Sequence, residues 1–496
     1  MKLLVIGIDG GTRDIIDAMP MPFTQGLFAK AASRDLDEDL ISRGWAEVLT
    51  GEHASSNKAF YLMPVAEGGL DFNASYSKSD MLSYSRNEPL WKKLNGTGTS
   101  VGLMNIPTTG PADQVKGFLV AGGGGGVKAD GAIPPAMMHP QTYKPLLEQH
   151  NYVFDVRLPG GETTVSGFLD RIRQAENAQK DTFIELARKE KPDFGFHCFR
   201  ITTEVQYLAR YEIERAAEAI RKALENGVRF EPESPTQQKV VEHYTNLDNS
   251  IRELFEALEP EHFIFVGDHS TALLRHEGNV DVWLEKAGYL KRMSPVERKA
   301  RGGLIRLRNK TDRIAVKYFG RKSPPLIRRP LTKFSPGRTR AFGTFYDTGN
   351  FAGIFINDRS RFGGPVSGEQ EHDRLVDDIC QTLNNSQEAR DYQIEARPYR
   401  RQYPGAQFQR LMPDIRLHKP DSLYFSSRHW DFVRDNRNLK PLEEDLTGIR
   451  YPHTGAKGHD PLFVFSPGLE RHLRTDDPKD LRVVYHMICR HFEGAA

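Results

Sequence analysis

Short runs of consecutive apolar residues alternate along this chain with longer stretches in which apolar positions recur at helical spacing. Leu3–Ile8, Phe263–Gly267, Phe351–Ile356 and Leu462–Phe465 are dominated by Val, Ile, Leu and Phe, and continuous runs of that length predict strands buried on both faces. Phe168–Lys191 and Gln237–Leu258 gather their apolar side chains on one helical face. Strand and helix alternating over hundreds of residues predict an α/β fold, a mostly parallel central sheet with helices on both sides.

Ligands of such sheets gather at the carboxyl ends of the strands. Asp9 directly follows the run LLVIGI, and Asp268 with His269 follows FIFVG. Buried carboxylates are costly unless partnered, and a shared divalent cation would partner both. Taken singly, each aspartate suits a structural role equally well: Asp9 as the turn-former of Asp-Gly-Gly, Asp268 as a helix cap before Ser270.

The 496 residues suffice for one large domain with insertions or for two or three ordinary domains, and their net charge of only +2 says nothing by itself about nucleic acid or membrane. The distribution of charge is uneven. Residues 291–340 hold 17 Lys or Arg against Glu297 and Asp312, which leaves the rest of the chain at −13. With Pro324, Pro325, Pro330 and Pro336 in its second half, this stretch reads as a basic insertion or lid. It divides a discontinuous main domain of 1–290 and 341–496. The insertion is either a solvated arm neutralised by the acidic body or an element that draws in anions, including a peripheral acidic surface. No specific nucleic-acid binding is expected. Gly122–Gly126 reads as a flexible loop, since it lacks the spacing of a phosphate-binding motif.

Cys198, Cys380 and Cys489 are widely separated and predict buried free thiols. The start, MKLLVIGIDGG, turns polar too soon for a secretory signal, and no window approaches 18 apolar residues. The expected location is cytoplasmic.

KLLVIGIDGGTRDIID, WAEVLTGEHASSNKAF, FIFVGDHSTALLRHEGNVDVWLEKAGYL and GIFINDRSRFGGPV occur in that order. Together they resemble the alkaline phosphatase superfamily, in particular its type I phosphodiesterase/nucleotide pyrophosphatase branch. PLWKKLNGTGTSVGLMNIPTTGP and TRAFGTFYDTGNFAGIFIN extend the likeness over most of the chain. It implies an alkaline phosphatase-like three-layer α/β/α sandwich and hydrolysis of phosphoesters, with an anionic, phosphate-containing substrate. It also implies two divalent metals, zinc or manganese, and a Ser or Thr nucleophile. Two cations about 4 Å apart would clamp the attacking and leaving oxygens.

Position by position, Asp9, Asp268 and His269 match one metal site of the family, with Gly267 and Ser270 replacing the residues that flank its Asp-His pair. The nucleophile position, counted from Trp45 and Thr50, falls on Ile41, so that Ser42 serves only after a one-residue shift. Ser42 suits a helix N-terminus as a nucleophile and equally as a simple cap. The second metal site is altered: Thr203 stands for its aspartate and Tyr207 for its histidine, and neither ionises readily near neutral pH. His459, with His453 as the other choice, is the expected C-terminal ligand. Asn57 replaces a further family histidine, while His197, Glu204 and His276 lie close enough in sequence to stand in for lost ligands. Arg340 and its basic neighbours are expected to hold the substrate anion. Three readings follow: a hydrolase with a single-metal site, a catalytically impaired relative that binds an anionic ligand or a protein, and a phosphoryl or sulfuryl transferase. The Cys/Ser-x-Pro-x-Arg context of sulfatases is absent.

Overall fold

Leu3–Ile8 (β1) forms the middle of the sheet because it has no polar side chain to solvate, and all six residues are buried. The computed structural model describes residues 1–61, 63–64, 72–73, 78–123, 133–157, 163–294, 296, 334–343, 351–426, 429–446 and 453–494. Most of the basic stretch 291–340, and Gly124–Gly126 of the glycine run, lie outside them.

The chain divides into two compact units, residues 1–59, 76–275 and 436–496 in the first, and 60–75 and 276–435 in the second. In the first, the remaining sheet strands are Ala32–Ser33 (β2), Val101–Met104 (β3), Gly117–Val120 (β4), Met138–His139 (β5), Phe194–Phe199 (β6), His262–Val266 (β7) and Phe463–Phe465. Their spatial order is β2, 463–465, β7, β1, β6, β3, β4, β5. The five inner strands from β7 to β4 run parallel, while both edges are antiparallel. This is the mostly parallel sheet expected from the apolar runs.

Ser270–Leu273 (β8) and Gly455–Gly458 (β9) form a separate antiparallel pair in which Thr271 faces Lys457. Five helices matter for the site: Gly44–Thr50 (α1), Val165–Glu190 (α2), Thr202–Glu225 (α3), Pro235–Leu258 (α4) and Arg482–Glu493 (α5). The expected helices correspond to α2 and α4, which start slightly earlier because Thr164 and Ser234 cap them through Gly167 N and Gln237 N.

The second unit has its own core around a four-stranded antiparallel sheet ordered 341–343, 353–356, 415–418 and 395–398. Arg361, 1 % exposed, joins Asp358 and Asp414 there, and its charge holds Asp414 well below the usual carboxylate range. Residues 341–435, expected in the main domain, pack instead with this unit: the strands after the basic stretch pair with one another, so the boundary falls at Arg275 and His276. The three cysteines are free and buried, as expected. No helix among the described residues is long and apolar enough to cross a membrane.

Between α2 and α4, Glu176 and His243 are each 1 % exposed, with His243 Nδ1 3.6 Å from Glu176 Oε2. Burial pushes Glu176 up to about 8 and His243 down to about 4, so both are neutral near pH 7. Folding therefore takes up a proton at Glu176 between its ordinary value of 4.5 and about 8. The stability this supplies is complete below the lower value and is lost as pH rises to the upper one. Glu176→Gln should gain on the wild type by up to about 1.4 kcal/mol per pH unit across that window and level off above it. Urea unfolding of both proteins at pH 5, 6.5 and 8 tests this, and a constant difference would refute it.

Candidate metal centre

The end of β1 is held open by a glycine. Gly10 takes φ +74°, and a Cβ there would meet Gln206 Oε1 at 2.5 Å, so the chain turns tightly and Asp9 stays at the strand end. Gly44, at the start of α1, packs so closely on the Asp268 carbonyl that a Cβ would lie 2.2 Å from its oxygen. This contact brings Trp45 over the site, where its Nε1–H donates to Asp9 Oδ2 at 2.9 Å. Gly10 N–H donates to Asp268 Oδ1 at 3.2 Å and ties the two strand ends together.

Asp9, Asp268 and His269 present ligand atoms that all lie within 4.8 Å of one another. His269 Nδ1 lies 2.7 Å from Ser270 O, and a carbonyl only accepts, so Nδ1 carries the hydrogen and Nε2 presents its lone pair. That Nε2 is 3.7 Å from both Asp9 Oδ1 and Asp268 Oδ1. Burial pushes His269 down to about 3, leaving a neutral imidazole, the form that ligates metals. Burial raises both carboxyls, and for Asp9 the neighbouring Asp268 charge adds to it. Two carboxylates and one neutral imidazole around a common point are a donor set that suits a divalent cation.

The other expected residues fall into place differently. Thr203 and Tyr207 are one turn apart on α3 beside the centre, but Thr203 Oγ1 is buried with no hydrogen-bond partner. Tyr207 OH lies 3.3 Å from His269 Nε2, and the two rings stack at 6.1 Å. His459 is not in the ligand group: β9 ends at Gly458, and the His459 carbonyl receives Glu38 N–H at 2.7 Å. His453 lies with its ring 5.8 Å from Tyr207. Ser42 is 2 % exposed, and its Oγ accepts from Ala54 N–H at 2.9 Å. It does not cap α1, whose N-cap is Arg43. Ile41 is buried in the core. Asn57 is structural, bonded to Thr50 Oγ1, Glu52 O and Ala59 N.

None of the expected substitutes rebuilds a second site. His197 is enclosed between Phe183 and Phe199, Glu204 pairs with Arg200 at 3.2 Å, and His276 belongs to the second unit, 3.2 Å from Asp435. Arg340 also belongs to the second unit, 3.8 Å from Glu371.

Lys457 is the residue that reasoning from histidines passed over. It sits on β9 opposite Thr271, 8 % exposed, and its charge acts on both Asp268 and Asp9. Burial lowers its pKa while the two carboxylates raise it. Arg200 adds positive charge to the centre, but Asp155 at 2.9 Å and Glu204 largely neutralise it. Among the described residues, Asp9, Asp268 and His269 form the ligand group here, and Thr203, Tyr207 and Lys457 beside it offer no carboxylate or imidazole.

The sequence pattern of the type I phosphodiesterase / nucleotide pyrophosphatase family matches residues 3–324. The chain belongs to that family. No match is found among curated proteins. Phosphonoacetate hydrolase from Sinorhizobium meliloti 1021, in complex with phosphonoformate, shares 10% identity over 98% of this chain and 95% of that one, with a TM-score of 0.51. At that identity the likeness concerns the fold, which is the expected alkaline phosphatase-like α/β architecture. Murine ectonucleotide pyrophosphatase / phosphodiesterase 5, in complex with AMP, is 12% identical over 99% of this chain and 95% of that one, with a TM-score of 0.47.

Proposed function

We propose that this protein hydrolyses phosphodiesters at a centre with one divalent cation, zinc or manganese, in which the ammonium of Lys457 supplies the second positive charge. The observation that carries this reading is the burial of Lys457 beside two carboxylates that also form a cation-ligand group. Asp9, Asp268 and His269 Nε2 would hold the cation, which when bound polarises a phosphoryl oxygen. Two carboxylates, a divalent cation and one ammonium sum to +1, the complement of the single negative charge of a phosphodiester.

Ser42 is the proposed nucleophile. Its Oγ forms a bond to phosphorus while one ester P–O bond breaks, the electron pair going to the departing oxygen, which leaves as an alcohol with the proton that Ser42 gives up. Water oxygen then bonds to phosphorus as the bond from phosphorus to Ser42 Oγ breaks, and one water proton passes to Oγ, which restores the hydroxyl and releases the phosphomonoester. Ala54 N–H, already on Oγ, would steady the alkoxide. Turnover of bis(p-nitrophenyl) phosphate with Mn²⁺ or Zn²⁺ should fall about 10³-fold or more in Ser42→Ala. Equal turnover in the variant would remove Ser42 from the mechanism.

A second reading, ligand binding without turnover, is favoured by Ile41 at the position predicted for the nucleophile. It takes over if the wild type turns over no phosphomonoester or phosphodiester while still binding one.

A further inference from the structure

Asp39, His53 and Ser55 lie around Ser42 and are not used by the chemistry described so far. Asp39 Oδ1 accepts from Ile41 N–H at 3.0 Å, and its Oδ2 lies 3.0 Å from His53 Nε2. His53 Nδ1 accepts from Ser55 N–H at 3.1 Å, and Ser55 Oγ lies 2.9 Å from the same nitrogen. A backbone N–H only donates, so Nδ1 keeps its lone pair and the ring hydrogen sits on Nε2, facing the carboxylate. Serine, histidine and aspartate in such a row can make a nucleophile. Ser55, however, is 2 % exposed and its own N–H occupies the imidazole lone pair, which suits an internal brace.

The brace closes around Ser42. Ser42 Oγ accepts from Ala54 N–H at 2.9 Å, and Ala54 stands between His53 and Ser55. His53 reaches Asp39, and Asp39 returns to the amide of Ile41, the residue before Ser42. Inside this loop Leu40 takes φ +62°, a costly conformation for a residue with a side chain, and the bond from Ile41 N–H to Asp39 spans it. On the far side, Arg43 N–H donates to Ala59 O at 2.8 Å. An asparagine would cap the short helix Ala54–Asn57 as well as His53 does, but its amide is too short to meet Asp39 too.

We propose that Asp39 and His53 are positioning residues that fix Ser42 Oγ and aim Ala54 N–H at it. The proposal rests on the reading of Ser42 as the nucleophile. A donor already aimed at the oxygen needs no rearrangement as charge develops there. Loosening the loop lets Oγ drift from its line of attack, and a displacement of about 1 Å can cost about 10²-fold in rate.

The test is a double-mutant cycle read in turnover of bis(p-nitrophenyl) phosphate with Mn²⁺. His53→Asn keeps the cap on Ser55 N–H and releases Asp39, so kcat should fall about 10-fold to 10²-fold while KM stays within about twofold of the wild type. His53→Gln, long enough to donate to Asp39, should recover part of that loss. In a Ser42→Ala background His53→Asn should change the residual rate by less than about twofold, since no Oγ is left to position. If His53→Asn folds poorly by its Tm, Asp39→Asn takes its place in the cycle, because one amide cannot accept from both Ile41 N–H and His53. A wild-type rate in the folded brace variant, with Ser42→Ala impaired, would overturn the proposal and leave Ser42 as the nucleophile. An equal loss in both backgrounds, or a glutamine no better than asparagine, would overturn it as well. Undiminished turnover in Ser42→Ala would remove both readings together.

Discussion

Asp268→Asn should lose about 10³-fold or more in turnover of bis(p-nitrophenyl) phosphate, together with one bound cation per chain. The carboxylate supplies one of the two negative charges facing His269 Nε2, and an amide keeps the shape and can still accept Gly10 N–H through its oxygen. What disappears is charge, and charge is what gives this centre its cation affinity. A loss of 10³ corresponds to about 4 kcal/mol of transition-state stabilisation, within what a bound cation provides. In EDTA the variant should be at least as stable as the wild type, because Asp268 is one of the causes that raise the Asp9 carboxyl. Metal content by elemental analysis, steady-state kinetics and thermal unfolding in EDTA check the three parts. Undiminished metal content would show that the cation sits elsewhere.

Lys457→Met should separate cation binding from turnover. Methionine fills a similar volume without charge, so the centre with its cation would change from +1 to neutral and lose its complementarity to a phosphodiester. Turnover should fall by about 10²-fold to 10³-fold, the usual effect of removing one electrostatic contact to a developing phosphoryl charge. Cation binding should move the other way: removing a buried ammonium that acts on Asp9 and Asp268 should tighten it by about tenfold. A residue that merely packed β9 would change neither quantity in this opposed manner. Turnover within twofold of the wild type would exclude Lys457 from the chemistry.

Half of this centre was legible in the sequence for a physical reason. Apolar strands of a parallel sheet are continuous, so LLVIGI and FIFVG announce where they stop, and Asp9, Asp268 and His269 follow the stops. The same continuity made the buried sheet of the first unit predictable. The contribution of Lys457 was hidden because it depends on β9 pairing with β8 in one register, which aligns it with Thr271 from 186 positions away. A lysine has no spacing motif, and attention to His453 and His459 on either side obscured it. The second unit was missed for a related cause. Its strands are short and its boundaries carry no break in composition, whereas the charge of 291–340 is conspicuous but marks no boundary of a core.

The register of β9 also sets an order of events. In synthesis Asp9 and Trp45 precede Asp268 and His269, and Lys457 follows them all. A nascent chain can assemble β1, β6 and β7 and bury both aspartates before the countercharge exists. Until β9 arrives, those carboxyls are best kept protonated or screened by a scavenged cation. Assembly of this centre would therefore wait for β9, and truncation ahead of Gly455 would remove Lys457 together with the sheet strand Phe463–Phe465 that pairs with β7.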